Sequence, residues 1–146
     1  MAIFMKYVAK KAGVLAGGVT SGKHKDWIEV ASVEFGYQRP MDGNVTTGKP
    51  VLSEVRVTRH LDVASPRLAQ AGIEGDVATV TLEYVREGNA LETTMKIEMT
   101  GAIMSRYDHL AFDDSSTVEK LSLSYSKLEY TWMKGGIVSH FDVQSK

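Results

Sequence analysis

Period-two alternation of apolar and polar residues runs through most of this chain, and one stretch, Val51 to Gly75 (VLSEVRVTRHLDVASPRLAQAGIEG), breaks it with a helical signal. Val51, Val55, Val57 and Leu61 share one phase, with Leu52, Glu54, Arg56, Thr58 and His60 between them. That is the period of a half-buried strand. Asp62–Val63–Ala64 ends the alternation and Ser65–Pro66 opens a helix. A serine hydroxyl can accept from an orphan N–H of the first turn, and proline at the first helical position gives up no hydrogen bond. Gly72 suits the left-handed position past the helix end, with Ile73 folded back onto Leu68, so the helix is expected over Ser65 to Ala71. One two-turn helix in a chain of strands is most simply a plug over an open barrel end or a sheet face.

The other segments read as strands and turns. Ile3–Val8 is a short strand, and Ala9–Lys25, rich in Gly and Lys, reads as a loop. In Asp26–Tyr37, Ile28 and Val30 share one phase while Val33, Phe35 and Tyr37 take the other. A bulge near Ala31–Ser32 puts all five on one face; without it, both faces are partly apolar and each needs cover. Gln38–Pro50 has loop composition, and a loop of that length in a compact domain is usually functional or an interaction arm. Val77–Val85 places Ala78, Val80, Leu82 and Tyr84 on one phase, and Gly88–Asn89 marks a hairpin connection. Leu91–Tyr107 turns Leu91, Met95, Ile97, Met99 and Ile103 inward, with Gly101 as a bend. Asp108–Thr117 is a polar loop. Val118–Met133 changes phase at Ser126–Lys127, a second candidate bulge, and Gly135–Gly136 leads into a last strand, Ile137–Val143. Seven or eight strands with one helix define a mainly β chain, a barrel or sandwich of packed antiparallel sheets.

Composition narrows the functions. At 146 residues the chain is expected to form one domain spanning 1–146, burying roughly two thirds of its unfolded surface. A net charge of -1 offers no bulk field for nucleic acid or anionic membrane. With no cysteine, disulfide and thiolate chemistry are excluded. Lys6, Lys10 and Lys11 interrupt any signal-peptide core in Met1–Gly18, and no stretch approaches a membrane span. Gly17–Lys23 (GGVTSGK) nearly spells a phosphate-binding loop, but His24 stands where the hydroxyl belongs and a strand follows instead of a helix. His24, His60, His109 and His140 have no metal-ligand spacing, and Asp113–Asp114 reads as a solvated turn. Trp27 and Trp132 read as core or subunit-contact residues. No catalytic constellation, cofactor or metal site is expected.

Three blocks carry a family resemblance: HKDWIEVASVEFGY at His24–Tyr37, VTRHLDVASPRLAQA at Val57–Ala71 and LSLSYSKLEYTW at Leu121–Trp132. In this order the chain resembles the Hcp (haemolysin-coregulated protein) family, the tube protein of bacterial type VI secretion. Its most specific part is Asp62-x-x-Ser65–Pro66-x-Leu68. The loop Ala9–Thr20 departs from the family pattern, being longer, richer in Gly and Ala and without an acidic residue.

The resemblance implies a small β-barrel of two packed antiparallel sheets with one helix, similar to phage tail-tube proteins. It implies a homo-hexamer whose rings stack into a tube, working with sheath, spike and effector proteins. Such a protein assembles in the bacterial cytoplasm and is secreted without a cleaved signal. A phage-type or other contractile-injection tube subunit is the alternative; a small ligand-binding barrel or enzyme is the third. On the resemblance, Ser32 and Glu34 are candidate lumen-facing residues, Glu34 repeating as a circle of negative charge that favours basic cargo. Gln38, Arg39, Met41, Asp42, Asn44, Thr46, Thr47 and Lys49 form a candidate ring-stacking or subunit-contact arm.

Overall fold

The computed structural model describes residues 1–86 and 92–142. The expected Gly88–Asn89 turn, Leu91 and the Val143 end of the last strand lie outside the described residues. In chain order the elements are β1 (Ala2–Ala9), β2 (Gly13–Leu15), β3 (Ile28–Val30), β4 (Ser32–Glu34), β5 (Tyr37–Gln38), β6 (Met41–Asp42) and β7 (Val45–Thr46). They continue with β8 (Val51–Leu52), β9 (Val55–Arg59), α1 (Ser65–Glu74), β10 (Ala78–Arg86), β11 (Glu92–Ala111), β12 (Thr117–Ser124), β13 (Lys127–Trp132) and β14 (Ile137–Asp142).

The pairing closes on itself. β1 pairs with β10, β10 with β11, β11 with β12, β12 with β9 and β9 with β4, all antiparallel. β3, one residue before β4, pairs back to β1, so the circuit is a barrel without open edges along that path. Inside it Met5, Tyr7, Ile28, Val55, Val57, Val80, Leu82, Ile97, Met99, Leu121, Leu123 and Leu128 are buried in one apolar core.

Three irregularities bend strands between the two sheets. Ala31 separates β3 from β4 and keeps Ile28 and Val30 buried, with Val33 and Phe35 packed against the core; Tyr37, expected with them, is 65% exposed. At Gly101 (φ 64) β11 carries one extra residue opposite Ala78–Val80. A β-carbon there would lie 2.4 Å from Ser126 Oγ, so both the backbone and the close approach demand glycine. The phase reverses across it: Ile97 and Met99 are buried before, Ala102 and Met104 after, and Ile103, expected inside, is exposed. The expected strand Val118–Met133 divides at 125–126. β12 lies between β9 and the C-terminal half of β11, while β13 lies between its N-terminal half and β14.

The helix is longer than expected and ends differently. It runs through Gly72 and Ile73 to Glu74, with Gly75 (φ 64) as the left-handed residue. Gly75 N–H donates to the Gly72 carbonyl and Asp76 N–H to the Ala71 carbonyl, the paired bonds of a Schellman ending. Ile73 does not fold onto Leu68; it is 83% exposed, and Leu68 is buried in the core with Ala64 and Ala71. Gly72 serves packing instead, since a β-carbon there would lie 2.8 Å from Met104 Sδ. At the other end Ala64 is the N-cap and Ser65 the first helical residue. Ser65 Oγ accepts from Asp62 N–H (3.0 Å), upstream of the helix, and it is the Asp62 carboxylate that accepts from Ala64 N–H (2.8 Å).

Two expected loops carry structure. Within Ala9–Lys25, β2 pairs with β1 and a short 3-10 turn, Gly22–His24, buries His24 against Phe4 and Trp27. His24 Nε2 donates to Glu83 Oε1 at 2.8 Å, and the turn is no phosphate loop. Asp108–Thr117 shrinks to 112–116, because β11 runs on to Ala111 and β12 begins at Thr117. Val51, expected on the buried phase, is 66% exposed because β8 pairs only with β5, outside the barrel.

Candidate functional site

β4, β9, β12 and the C-terminal half of β11 turn their apolar phase into the core, so their alternate residues form one outward face. Register sets them in rows. Glu34 stands across from Arg56, Arg56 across from Ser122, and Ser122 across from Arg106. Ser32, Thr58, Lys120 and Asp108 make the next row. The face is hollowed into a shallow groove of about 380 Å³. Ser32 and Glu34, the candidate lumen residues, lie together on its β4 side, both exposed.

Glu34 is not a lone carboxylate. Arg56 Nη1 approaches its Oε1 at 3.5 Å, and across the groove Arg106 Nε donates to Asp108 Oδ2 at 2.8 Å. The structure therefore sets a positive partner beside Glu34, which the sequence reading did not include. Such exposed pairs are each worth only about 0–1 kcal/mol, so the face stays adaptable in charge while its backbone is fixed by the ladders.

Beneath the face lies a buried ionic cluster. Arg59 is 1% exposed and Glu119 is fully buried, and Arg59 Nη1 donates to Glu119 Oε2. The guanidinium also reaches the Asp62 carboxylate, Ser65 Oγ (3.4 Å) and the Glu29 carbonyl (3.1 Å). Tyr107 O–H donates to the other Glu119 oxygen. Burial, the hydrogen bond to Glu119 and that carboxylate's charge hold the Tyr107 phenol well above its ordinary range, with Arg59 opposing. One cation thus ties β9, β12, β3 and the helix entrance together, which gives Asp62 and Ser65 of the motif their physical basis, while Leu68 is held by the apolar core. Arg59 and Glu119 are absent from the sequence candidates. Their signal is that each opposite charge sits on the apolar phase of its strand, Arg59 after Val55 and Val57, Glu119 before Leu121 and Leu123.

The arm is not structureless, although it keeps out of the core. β6 and β7 form a tight hairpin around Gly43 (φ 62) and Asn44, Met41 opposing Thr46 and Asp42 opposing Val45. β5 and β8 pair at its base. Gln38, Arg39, Met41, Asp42, Asn44, Thr46, Thr47 and Lys49 are all exposed. So are Tyr37, Val45 and Val51, at 65, 66 and 66%. By register Tyr37 and Val51 take opposite faces of the β5–β8 pair, and Met41 and Val45 opposite faces of the β6–β7 hairpin, so apolar side chains stand exposed on both faces of the arm.

Elsewhere, among the described residues, no three His, Asp or Glu side chains come together as a metal site. Asp113 and Asp114 lie in the 112–116 turn, where Asp114 Oδ1 accepts from Ser116 N–H at 2.9 Å. Trp27 packs on a small outer cluster with Phe4, Val19 and Val85, whereas Trp132 is 46% exposed.

A profile of the family described as "Type VI secretion system effector, Hcp" matches residues 4–132. Among solved structures, the Hcp1 protein from the E. coli EAEC 042 pathovar superposes with a TM-score of 0.87 at 18% identity, covering 97% of this chain and 99% of that one. Hcp1 from Salmonella typhimurium gives 0.80 at 18% identity over 100% and 98%. The secreted protein Hcp3 from Pseudomonas aeruginosa gives 0.77 at 20% identity over 96% and 98%. At these identities the likeness is one of fold. No curated protein matches the chain.

Proposed function

The chain belongs to the Hcp family of type VI secretion, and from that premise we propose that it is a single-domain subunit of the inner tube. Six copies close into a ring, rings stack through the 38–50 arm, and the tube carries effectors in its bore and leaves the cell with them. It assembles in the cytoplasm alongside sheath and spike proteins and does no chemistry of its own. In this arrangement the groove face of β4, β9, β12 and β11 lines the bore, bringing Ser32 and Glu34 to the cargo.

The arm is the observation that supports this reading. Tyr37, Met41, Val45 and Val51 are each more than half exposed on a hairpin that pairs only with itself. Exposed apolar side chains on both faces of a projecting element suit burial against other copies, as stacking of one ring on the next supplies. The test is light scattering with electron microscopy on the purified chain. Closed six-fold rings at micromolar concentration are expected; a monomer across a dilution series sinks the reading.

A further inference from the structure

The groove face carries three cations, Arg56, Arg106 and Lys120, against two carboxylates, Glu34 and Asp108. The pairing is uneven. Arg56 is taken by Glu34 and Arg106 by Asp108. Asp108, which lies directly across from Lys120 in the ladder, is thereby turned to its own strand neighbour. Lys120 is exposed in the middle of the face, with no ion-pair partner among the described residues. Around it stand hydroxyls, Thr58 across one ladder and Ser32 beyond it. These are neutral donors and acceptors that do not offset the charge.

We infer that this face selects acidic protein cargo, with Lys120 as the residue that decides the sign. The inference rests on the reading that the face lines the bore. In a ring, one unpaired lysine per subunit becomes a circle of positive charge inside a confined channel with low-dielectric walls, where fields are focused and counter-charged surfaces concentrate. Within the groove the Glu34 and Asp108 pairs leave no net charge to oppose it; Glu54, on the same phase as Arg56, lies outside the groove lining and accepts from the Ser105 hydroxyl. Cargo with a carboxylate-rich surface gains; cargo rich in lysine and arginine is repelled. Because the groove is open to water, the preference weakens with ionic strength.

The experiment measures fluorescence anisotropy of labelled poly-L-glutamate and poly-L-lysine of matched length on the full chain, at low and physiological salt. Poly-L-glutamate is expected to bind at least tenfold more tightly, with the difference shrinking as salt rises. Lys120→Glu should abolish or invert the preference, whereas Lys25→Glu, the same charge change on an exposed lysine outside the face, should leave it intact. Equal binding of the two polymers overturns the inference, and so does an equal effect of Lys25→Glu, which would mean bulk charge alone. The bore reading is tested separately with Ser32→Cys, a unique thiol in this chain, coupled to a gold cluster by maleimide. Gold at the ring centre supports it, and gold at the outer rim overturns the bore placement. A central label combined with an inert Lys120→Glu overturns the cargo inference alone.

Discussion

Tyr7 sits in the core without exposure, and its hydroxyl has no hydrogen-bond partner among the described residues. Burial first, and then the Asp76 charge, push its phenol from 10.0 up to about 12. Leaving a buried hydroxyl unmade costs about 1–3 kcal/mol, so Tyr7→Phe is expected to raise stability by about 1 kcal/mol, read as a higher urea midpoint at neutral pH. The sign with pH follows from the raised value. The unfolded chain ionises first, so Tyr7's contribution is intact below pH 10 and is lost as pH climbs to about 12. Tyr7→Phe should then also flatten part of the alkaline loss in a pH series of melts. Arg59 is the opposite case, a buried charge whose partners are all made. Arg59→Met would strand the Glu119 carboxylate, fully buried, beside Leu121. Breaking one side of a buried pair costs about 3–5 kcal/mol, whereas the double change Arg59→Met with Glu119→Leu should recover much of the loss. Additive losses in that double-mutant cycle would show the pair is not coupled.

Among the elements, the strand bends carry more weight than the strands themselves. Gly101 turns β11 from one sheet to the other at φ 64, with Ser126 Oγ 2.4 Å from where a side chain would begin. Left-handed backbone alone costs a non-glycine residue about 1–2 kcal/mol, and displacing Ser126 adds to that. Gly101→Ala should therefore lower the melting temperature, and adding Ser126→Gly should return only the steric share; full recovery would mean the backbone conformation is unstrained. The arm behaves differently. Its ladders are its own, and none of its residues is buried. Removing 42–47 is expected to leave the circular dichroism spectrum and melting transition of the barrel in place. Loss of the β signal would make the arm part of the folding unit.

For the whole molecule, closure of the barrel leaves the apolar residues of the arm outside its core. If the arm seats against another copy, a charge placed on the contacting face of its hairpin must be desolvated on assembly. Val45, 66% exposed at the hairpin, is the position to probe, because nothing in the barrel depends on it. Val45→Asp is expected to leave the melting temperature unchanged while shifting sedimentation toward shorter stacks or smaller species. An unchanged distribution would place the contact elsewhere.

The alternating strands, the single Ser65–Pro66 helix and the phase breaks near Ala31 and Ser126 were legible in sequence, because period and turn chemistry are local properties of consecutive residues. Gly101 was legible as a bend, but not the phase reversal across it that exposes Ile103. The specific Asp62, Ser65, Pro66 and Leu68 spacing was legible as a motif, and with it the family. Which partner each strand takes was not. β3 and β4 belong to different sheets although one residue separates them, and no local pattern encodes a pairing made with residues far along the chain. The helix end shows the same limit. Gly72 and Gly75 both fit a left-handed cap by type, and the close approach of Met104 to Gly72 accompanies the choice of Gly75. Charge followed the same rule. The sequence places Glu34 on a polar face, but only the ladder sets Arg56 beside it and leaves Lys120 unmatched, because ion pairing is decided by distance in space.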